Sequence, residues 1–451
     1  MKLKQLTGRK NEKPNAMSRI LQRWLLILAA ALVFLNGEQA KASHAMGADM
    51  TYECLGGNTY KIRLSFYRDC IGINAPANVY VNIRSTTCGQ NLGVTCYPIP
   101  GTGQEVTYLC PTATSTCNGG TFTGIQEWVY EGVVTLPMQC PDWQFSYSLC
   151  CRNAAITTIS NPGSNTFFIY ANLDNTVAQC NTSPTFSNKP VPFACLGQEL
   201  CFNHGAVDPD GDSLVYTLVN PRQTATNNVS YIAPYNATTP LASTPAIQFN
   251  GATGDICFTP TQLQVTVMAV LVQEYRNGVL IGSVVRDIQI PVLNCNNDLP
   301  TLTGINGTND FDITVCANDN LCFDIYSNDT DAGQSLTLTS NNGIPAGNFT
   351  SAGAPHPTGT FCWTPSTSDI SNNPYCFTVR VNDDACPFFG ANTYSYCITV
   401  TGIVVDAGPD QYIACSDLAT LTANATGGNP PYTYLWSNGS TGPTQTVPVG
   451  T

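Results

Sequence analysis

Charge is scarce in this chain: Asp, Glu, Lys and Arg make up only 11% of its 451 residues, and 18 residues are basic. Eight of those 18 bases and two of the 30 acids lie in residues 1–42, so residues 43–451 carry 10 bases against 28 acids, a net charge of −18. A surface so poor in cations cannot neutralise phosphates, which excludes nucleic acid as a partner. The acidic balance suits cation binding or a solvated cell-surface protein. Histidine is rarer still, at three residues, and no Cys-x-x-Cys spacing occurs, so zinc has no evident ligand set. His44, His204 and His356 stand outside any His-Glu-x-x-His pattern, and there is no Gly-x-Ser-x-Gly elbow, so we expect no enzyme. After residue 42 no apolar run approaches the about 20 residues of a membrane helix, and no amphipathic helix stands out.

What is present begins with an address. Arg19 and Arg23 precede the apolar run Trp24–Leu35, and Ala40-Lys41-Ala42 offers a small-residue cleavage site, so residues 1–42 read as a secretory signal peptide. Met17 can serve as the start equally well. All 21 cysteines follow this segment, and in an exported chain they read as disulfides. Ten fall in 43–190, four in 191–296, six in 300–402, and Cys415 alone in 403–451, so each proposed domain but the last can pair internally.

Two stretches repeat. Cys195–Leu214 places Cys195 and Cys201 six apart, then Phe202, then Asp208, Asp210 and Asp212. Cys316–Leu336 repeats this with Cys316, Cys322, Phe323, Asp329 and Asp331. Each is followed by a Gly-x-x-Cys-aromatic-Thr-Pro signature, around Cys257 and around Cys362. The apolar runs Val265–Tyr275 and Leu280–Val292 flank Arg276-Asn277-Gly278, a type I′ hairpin signal. Tyr375, Phe377, Val379 and Val381 face one side of a second hairpin, answered by Tyr394, Tyr396, Ile398 and Val400. We therefore expect an all-β chain of tandem, disulfide-bonded Ig-like or cadherin-like sandwiches after the signal peptide, with a Cys-rich β domain at 43–190, repeats at 191–296 and 300–402, and an incomplete unit at 403–451. Expected bridges are Cys201–Cys257, Cys322–Cys362 and the cross-strand pair Cys376–Cys397; Cys150 and Cys151 are each expected to bond a different partner. In the first domain, alternation predicts strands at 59–67, 79–84, 128–136, 143–149 and 166–173, with disulfide-tied loops over 86–120. Asn220–Asn250 reads as an insertion loop.

Asp208-Pro209-Asp210-Gly211-Asp212 is the one composition with clear ion chemistry. Alternate carboxylates around a glycine turn can aim several hard oxygens at one cation, as Ca2+ requires. It is not an EF-hand, since the twelfth position is Val219. Further ligands would come from Glu274, Asp287 or the linker Asn296-Asn297-Asp298. Asp329 and Asp331 form a weaker counterpart, with Asp383 and Asp384 as helpers. The bland alternative is a solvated turn. Trp128, Trp143, Trp363 and Trp436 lie in apolar strand patterns and read as core rather than sugar platforms.

Longer motifs carry a resemblance. SHAMGADMTYECLGGNTYKIRLSFYRDC, Cys150-Cys151-Arg152-Asn153, the Gln-Cys-Asn-x-Ser-Pro motif at 179–184, Cys201-Phe202-Asn203-His204, Asp208–Leu214 and Glu274–Gly278 resemble, in order, a family of large Bacteroidota cell-surface proteins. Residues 405–411 and 427–439 resemble the PKD-like repeats of gliding-motility adhesins, which normally continue beyond the point where this sequence stops; we expect a fragment or truncated product, with Cys415 unpaired. The resemblance implies export to the outer cell surface, an association with gliding motility and type IX secretion through a sorting domain, and non-catalytic adhesion to other cell-surface proteins or extracellular glycans. The other function open here is a carbohydrate-binding accessory region of a secreted polysaccharide-degrading enzyme.

Overall fold

The computed structural model describes residues 45–190, 193–412, 414, 418–427 and 431–448. The signal segment 1–42 and Cys415 lie outside them. Alternation sets the first hairpin. In β1 (Ala45–Gly56) and β2 (Thr59–Asp69) the residues Met50, Tyr52, Tyr60, Ile62 and Leu64 are buried, while Lys61 and Arg63 are not. Gly57 (φ 56°) and Asn58 (φ 58°) supply the left-handed turn that matches strand twist. Then come β3 (Val79–Ser85), β4 (Gln90–Pro98), β5 (Gln104–Glu105), β6 (Ile125–Thr135), β7 (Trp143–Leu149), β8 (Phe167–Leu173) and β9 (Thr185–Phe186). The strand β4 runs through a segment expected to be loop. It pairs with β3 along its length and buries Cys96, but its Asn, Gly and Thr content hides the alternation.

Residues 194–293 continue with β10 (Ala194–Cys195), β11 (Leu200–Asn203), β12 (Ala206–Val207), β13 (Ser213–Val219), β14 (Gln248–Phe249), β15 (Asp255–Phe258), β16 (Val265–Arg276) and β17 (Val279–Leu293). Asn277 (φ 53°) and Gly278 (φ 77°) turn the β16–β17 hairpin. These strands do not stand apart from 43–190. A single sheet runs β1-β2-β6-β4-β3-β7-β8-β17-β16-β13, and β1 also pairs with β17, so the path returns on itself. The expected boundary at 190/191 therefore falls inside a shared sheet. The physical reason is β17: β16 covers one edge, β8 and β1 share the other, and ten consecutive residues from Ile281 to Ile290 are buried. Gly47 permits the β1 approach, since a Cβ there would lie 2.7 Å from the Asp287 carbonyl oxygen. One hydrophobic cluster spans both segments, from Tyr52 and Phe145 to Phe202, Val270 and Val284.

The second repeat holds β18 (Thr301–Leu302), β19 (Asp312–Cys316), β20 (Leu321–Asn328), β21 (Thr337–Ser340), β22 (Asn348–Ala352), β23 (Thr358–Trp363), β24 (Tyr375–Asn382) and β25 (Ala391–Thr401). Its sheets, β18-β20-β23-β22 and β19-β25-β24-β21, are divided as in an immunoglobulin-like Greek key. The first repeat follows the same order with one strand fewer in its smaller sheet: β11-β15-β14 faces β10-β17-β16-β13, and β10 lies parallel to β17 as β19 lies parallel to β25. Phe323, Phe361, Phe377 and Tyr396 pack ring against ring in the second core, each contributing about 1.5–3 kcal/mol by burial. Among the remaining described residues, β26 (Val404–Asp406) pairs with β28 (Asn424–Thr426), and β27 (Leu418–Thr422) with β29 (Thr444–Pro448).

Cys201–Cys257, Cys322–Cys362 and Cys376–Cys397 are bonded, each joining directly opposed residues of neighbouring strands with Cα atoms 4.2 Å apart. Two expectations need correction. Cys150 and Cys151 are bonded to each other. Pairing also crosses the proposed domains: Cys110 bonds Cys386, because the loop after β5 lies against the second repeat, where Tyr108 stacks on Phe389 and Arg380 covers Tyr108. Among the described cysteines, Cys96, buried, and Cys316, exposed, are outside any bridge. Burial pushes the Cys96 thiol up to about 12.

Candidate metal centre

The acidic turn of the first repeat folds around its first aspartate. One oxygen of Asp208 accepts the backbone N–H groups of Asp210 (2.9 Å) and Asp212 (3.0 Å), and Gly211 supplies the left-handed residue (φ 81°). Opposite, β16 pairs with β13 in a register that sets Glu274 across from Leu214, with Arg276 two residues further along. Glu274 is fully buried, and Gly282 on β17 makes room for it, since a Cβ there would sit 2.6 Å from the Glu274 carboxylate. Asp208, Asp212 and Glu274 thus form a trio whose oxygens lie within 4.8 Å of one another, the one such acidic group among the described residues.

Neutralisation of this trio is incomplete. Arg276 grips Asp212 at 2.8 and 2.5 Å and reaches Asp210 at 3.2 Å. Asp210 also accepts the Thr182 N–H, so it is turned away from the trio. Asn181 donates to Glu274 (2.8 Å) and accepts from Arg276 (2.9 Å). That leaves Asp208 Oδ2 and Glu274 Oε1 buried with no hydrogen-bond partner. Burial first, then the Asp208 charge, pushes the Glu274 carboxyl up to about 9, and burial also raises Asp208. At neutral pH Glu274 therefore keeps its proton beside Asp208, and a cation bound here would displace it. Two uncompensated carboxylate oxygens and a third carboxylate fit a hard divalent cation, with water completing the shell.

The expected ligands divide accordingly. Asp208 and Asp212 are in the trio, and Glu274, named as a helper, is its buried member. Asp287 lies outside the trio, where Arg152 holds it in a buried ion pair. The linker serves the second repeat instead: Asp298 donates its N–H to Asp331, and Asn297 donates to Asp383 (2.8 Å). There Asp329 keeps one unpartnered oxygen, but Asp331 also accepts from Gln334, and Asp383 takes the N–H groups of Ala385 and Gly390. Asp384 accepts the Ser335 N–H. Asp329 and Asp331 therefore form no comparable trio. Sequence reasoning missed Asn181 and Arg276, although both lie in quoted motifs, Gln-Cys-Asn-x-Ser-Pro and Glu-Tyr-Arg-Asn-Gly. Trp143 and Trp363 are buried and Trp128 and Trp436 partly so. His204 is fully buried between Phe186 and Phe202, neither ring nitrogen has a partner, and burial, then the Arg286 charge, holds it well below its ordinary value.

Among the described residues no helix is long and apolar enough to cross a membrane. No protein-family model and no curated protein matches the chain. Among solved structures, the N-terminal four Ig domains of Dscam1 isoform 4.4 align with 90% of this chain and 88% of that one, at 12% identity and a TM-score of 0.21. The N-terminal eight Ig domains of Down Syndrome Cell Adhesion Molecule align with 86% and 41%, at 9% identity and 0.21. An endo-fucoidan hydrolase of glycoside hydrolase family 107 aligns with 77% and 42%, at 13% and 0.17. Alignments at such TM-scores carry no argument, and the sandwich assignment rests on strand order: this is an all-β protein of disulfide-bonded, Ig-like sandwiches.

Proposed function

We propose that the chain is an exported, non-catalytic surface protein that works by adhesion, its cross-linked sandwiches holding their end loops toward a partner and Ca2+ bound by Asp208, Asp212 and Glu274. The observation that carries this is the pairing of cysteines into nine bridges among the described residues, two of which stand at equivalent places in the two repeats. Such a pattern belongs to an oxidising compartment and stiffens the array. The partners are other cell-surface proteins or extracellular glycans, and the family resemblance adds type IX secretion and gliding motility. Ca2+ would supply charge that a proton or Arg276 supplies only in part, tying the turn after β12 to the end of β16.

Two measurements test this. Melting the full mature chain in EDTA and in millimolar Ca2+ should show a higher melting temperature with the ion, since a ligand at a hundredfold excess over its Kd adds about 2.7 kcal/mol. An unchanged melting curve overturns the ion site. Beads coated with the chain should adhere to bacterial or polysaccharide-coated surfaces more than blank beads do, and equal retention on all of them overturns adhesion.

A further inference from the structure

A cleft of about 650 Å³ separates the first repeat from the second. One wall is the acidic turn and β13 with the Gly251–Thr253 turn; the other is Asn341–Gly343, Ser371–Tyr375 and the outward face of β24. The walls are fixed relative to each other. Asn203 donates to Ser395 (3.0 Å), Ser395 donates to Asp255 (2.7 Å), the Cys201 N–H bonds Asn392 (2.8 Å), and Asn373 donates to Ser213 (2.6 Å). The gap between these tethers is thus built into the fold.

Its chemistry is narrow. Ser213, Thr253, Asn341, Asn373 and Thr378 line it with hydroxyls and amides, and Tyr375 adds a partly exposed ring. No Lys, Arg or His lines it, while Asp208 and Asp212 stand at one end. A phosphate, sulfate or uronate would find no basic side chain along the walls between the tethers. Val207, Leu214, Val215 and Pro374 add apolar wall between these polar groups, a surface on which the C–H face of a sugar ring can lie. The β13 edge is a poor peptide template, because the Tyr216 N–H is already taken by the Gly251 carbonyl. Hydroxyls and amides, which both donate and accept, suit a ligand that does the same.

We propose that this cleft binds a neutral, polyhydroxylated ligand, a short stretch of uncharged glycan lying between the sandwiches. This names the partner class of the proposed surface function and rests on it. The test is isothermal calorimetry of the full mature chain against cello-, xylo-, manno- and laminari-hexaose up to about 10 mM, with an alginate hexamer and a Gly-Ser peptide as the anionic and peptide comparisons. At least one neutral hexaose is expected to bind; the manno series would indicate a microbial surface glycan and the cello or xylo series a plant wall. Asn373→Trp, which fills the mouth at an exposed position, should weaken binding at least about tenfold, and Ser213→Ala about threefold. Both variants lose the Asn373–Ser213 tether, so Ser213→Ala is the control for it: the two should melt alike and keep the Ca2+ response, and the further loss of binding in Asn373→Trp reports the blocked cleft. No binding by any neutral hexaose overturns the proposal, as does undiminished binding by Asn373→Trp or preference for alginate or the peptide. Hexaose binding without any Ca2+ effect would remove the ion site and leave the cleft standing.

Discussion

The two repeats share strand order, the paired bridges and the acidic turn, yet they are attached and neutralised differently. The first is continuous with the N-terminal sheet through β1, β8 and β17. The second has sheets of its own and is held by the Cys110–Cys386 bridge, side-chain hydrogen bonds and the linker. At the acidic turn the contrast is sharper. Asp383 stands one residue beyond the Thr337–Asn382 pair, where the first repeat places Glu274 opposite Leu214. Asp383 is satisfied by two backbone N–H groups and an amide, whereas Glu274 has one amide and an orphaned oxygen. A carboxylate bonded in this way is part of the fold; the one left unsatisfied is the group to which we assign the proposed Ca2+.

Breaking the strap should produce the largest effect. Replacing Cys110 and Cys386 together by Ser should lower the unfolding transition of the second repeat by about 3 kcal/mol, less than the roughly 5 kcal/mol of a long loop without other cross-links. Calorimetry should show the transition of the sheet-welded first repeat unmoved; a joint shift would mean that the two repeats melt as one. Next, Asp383→Ala should cost about 2–3 kcal/mol in urea unfolding, because it strands buried N–H groups. Glu274→Gln should cost nothing in EDTA or add stability, and should abolish the Ca2+-dependent rise in melting temperature. Equal losses from the two substitutions would erase the distinction. The smallest effect concerns His204, whose equivalent in the second repeat is the buried Ile325. Folding holds His204 neutral, so the unfolded chain alone takes up a proton below about pH 6.5. Stability from this group is present above that pH and falls as pH drops toward the depressed folded value, by about 1.4 kcal/mol at pH 5.5. His204→Ile should flatten this limb of the stability–pH curve; an unchanged slope would assign it elsewhere.

Much of this was legible from residues alone. Apolar alternation marked β2, β24 and β25, Asn277-Gly278 marked the central turn, and the doubled Cys-x5-Cys-Phe pattern marked two equivalent sandwiches. What escaped was non-local. The welding of β17 to β1 depends on Gly47 admitting a close approach, and nothing near either strand signals the other. The strap from Cys110 to Cys386 joins residues 276 apart, which cysteine parity cannot foresee. The acidic run drew attention to Asp210, but the register of β16 against β13 decides that Glu274 joins Asp208 while Arg276 draws Asp210 aside.

The bridges also determine how the chain would behave under tension. Cys54–Cys180, Cys195–Cys295, Cys322–Cys362 and Cys376–Cys397 follow one another without overlap, spanning 126, 100, 40 and 21 residues. The segments between them, 181–194, 296–321 and 363–375, all lie inside the Cys110–Cys386 bridge, so a pull along the chain crosses from Cys110 to Cys386 before those segments are drawn out. A molecule anchored at one end and gripping at the other would give up little length before a covalent bond carried the force.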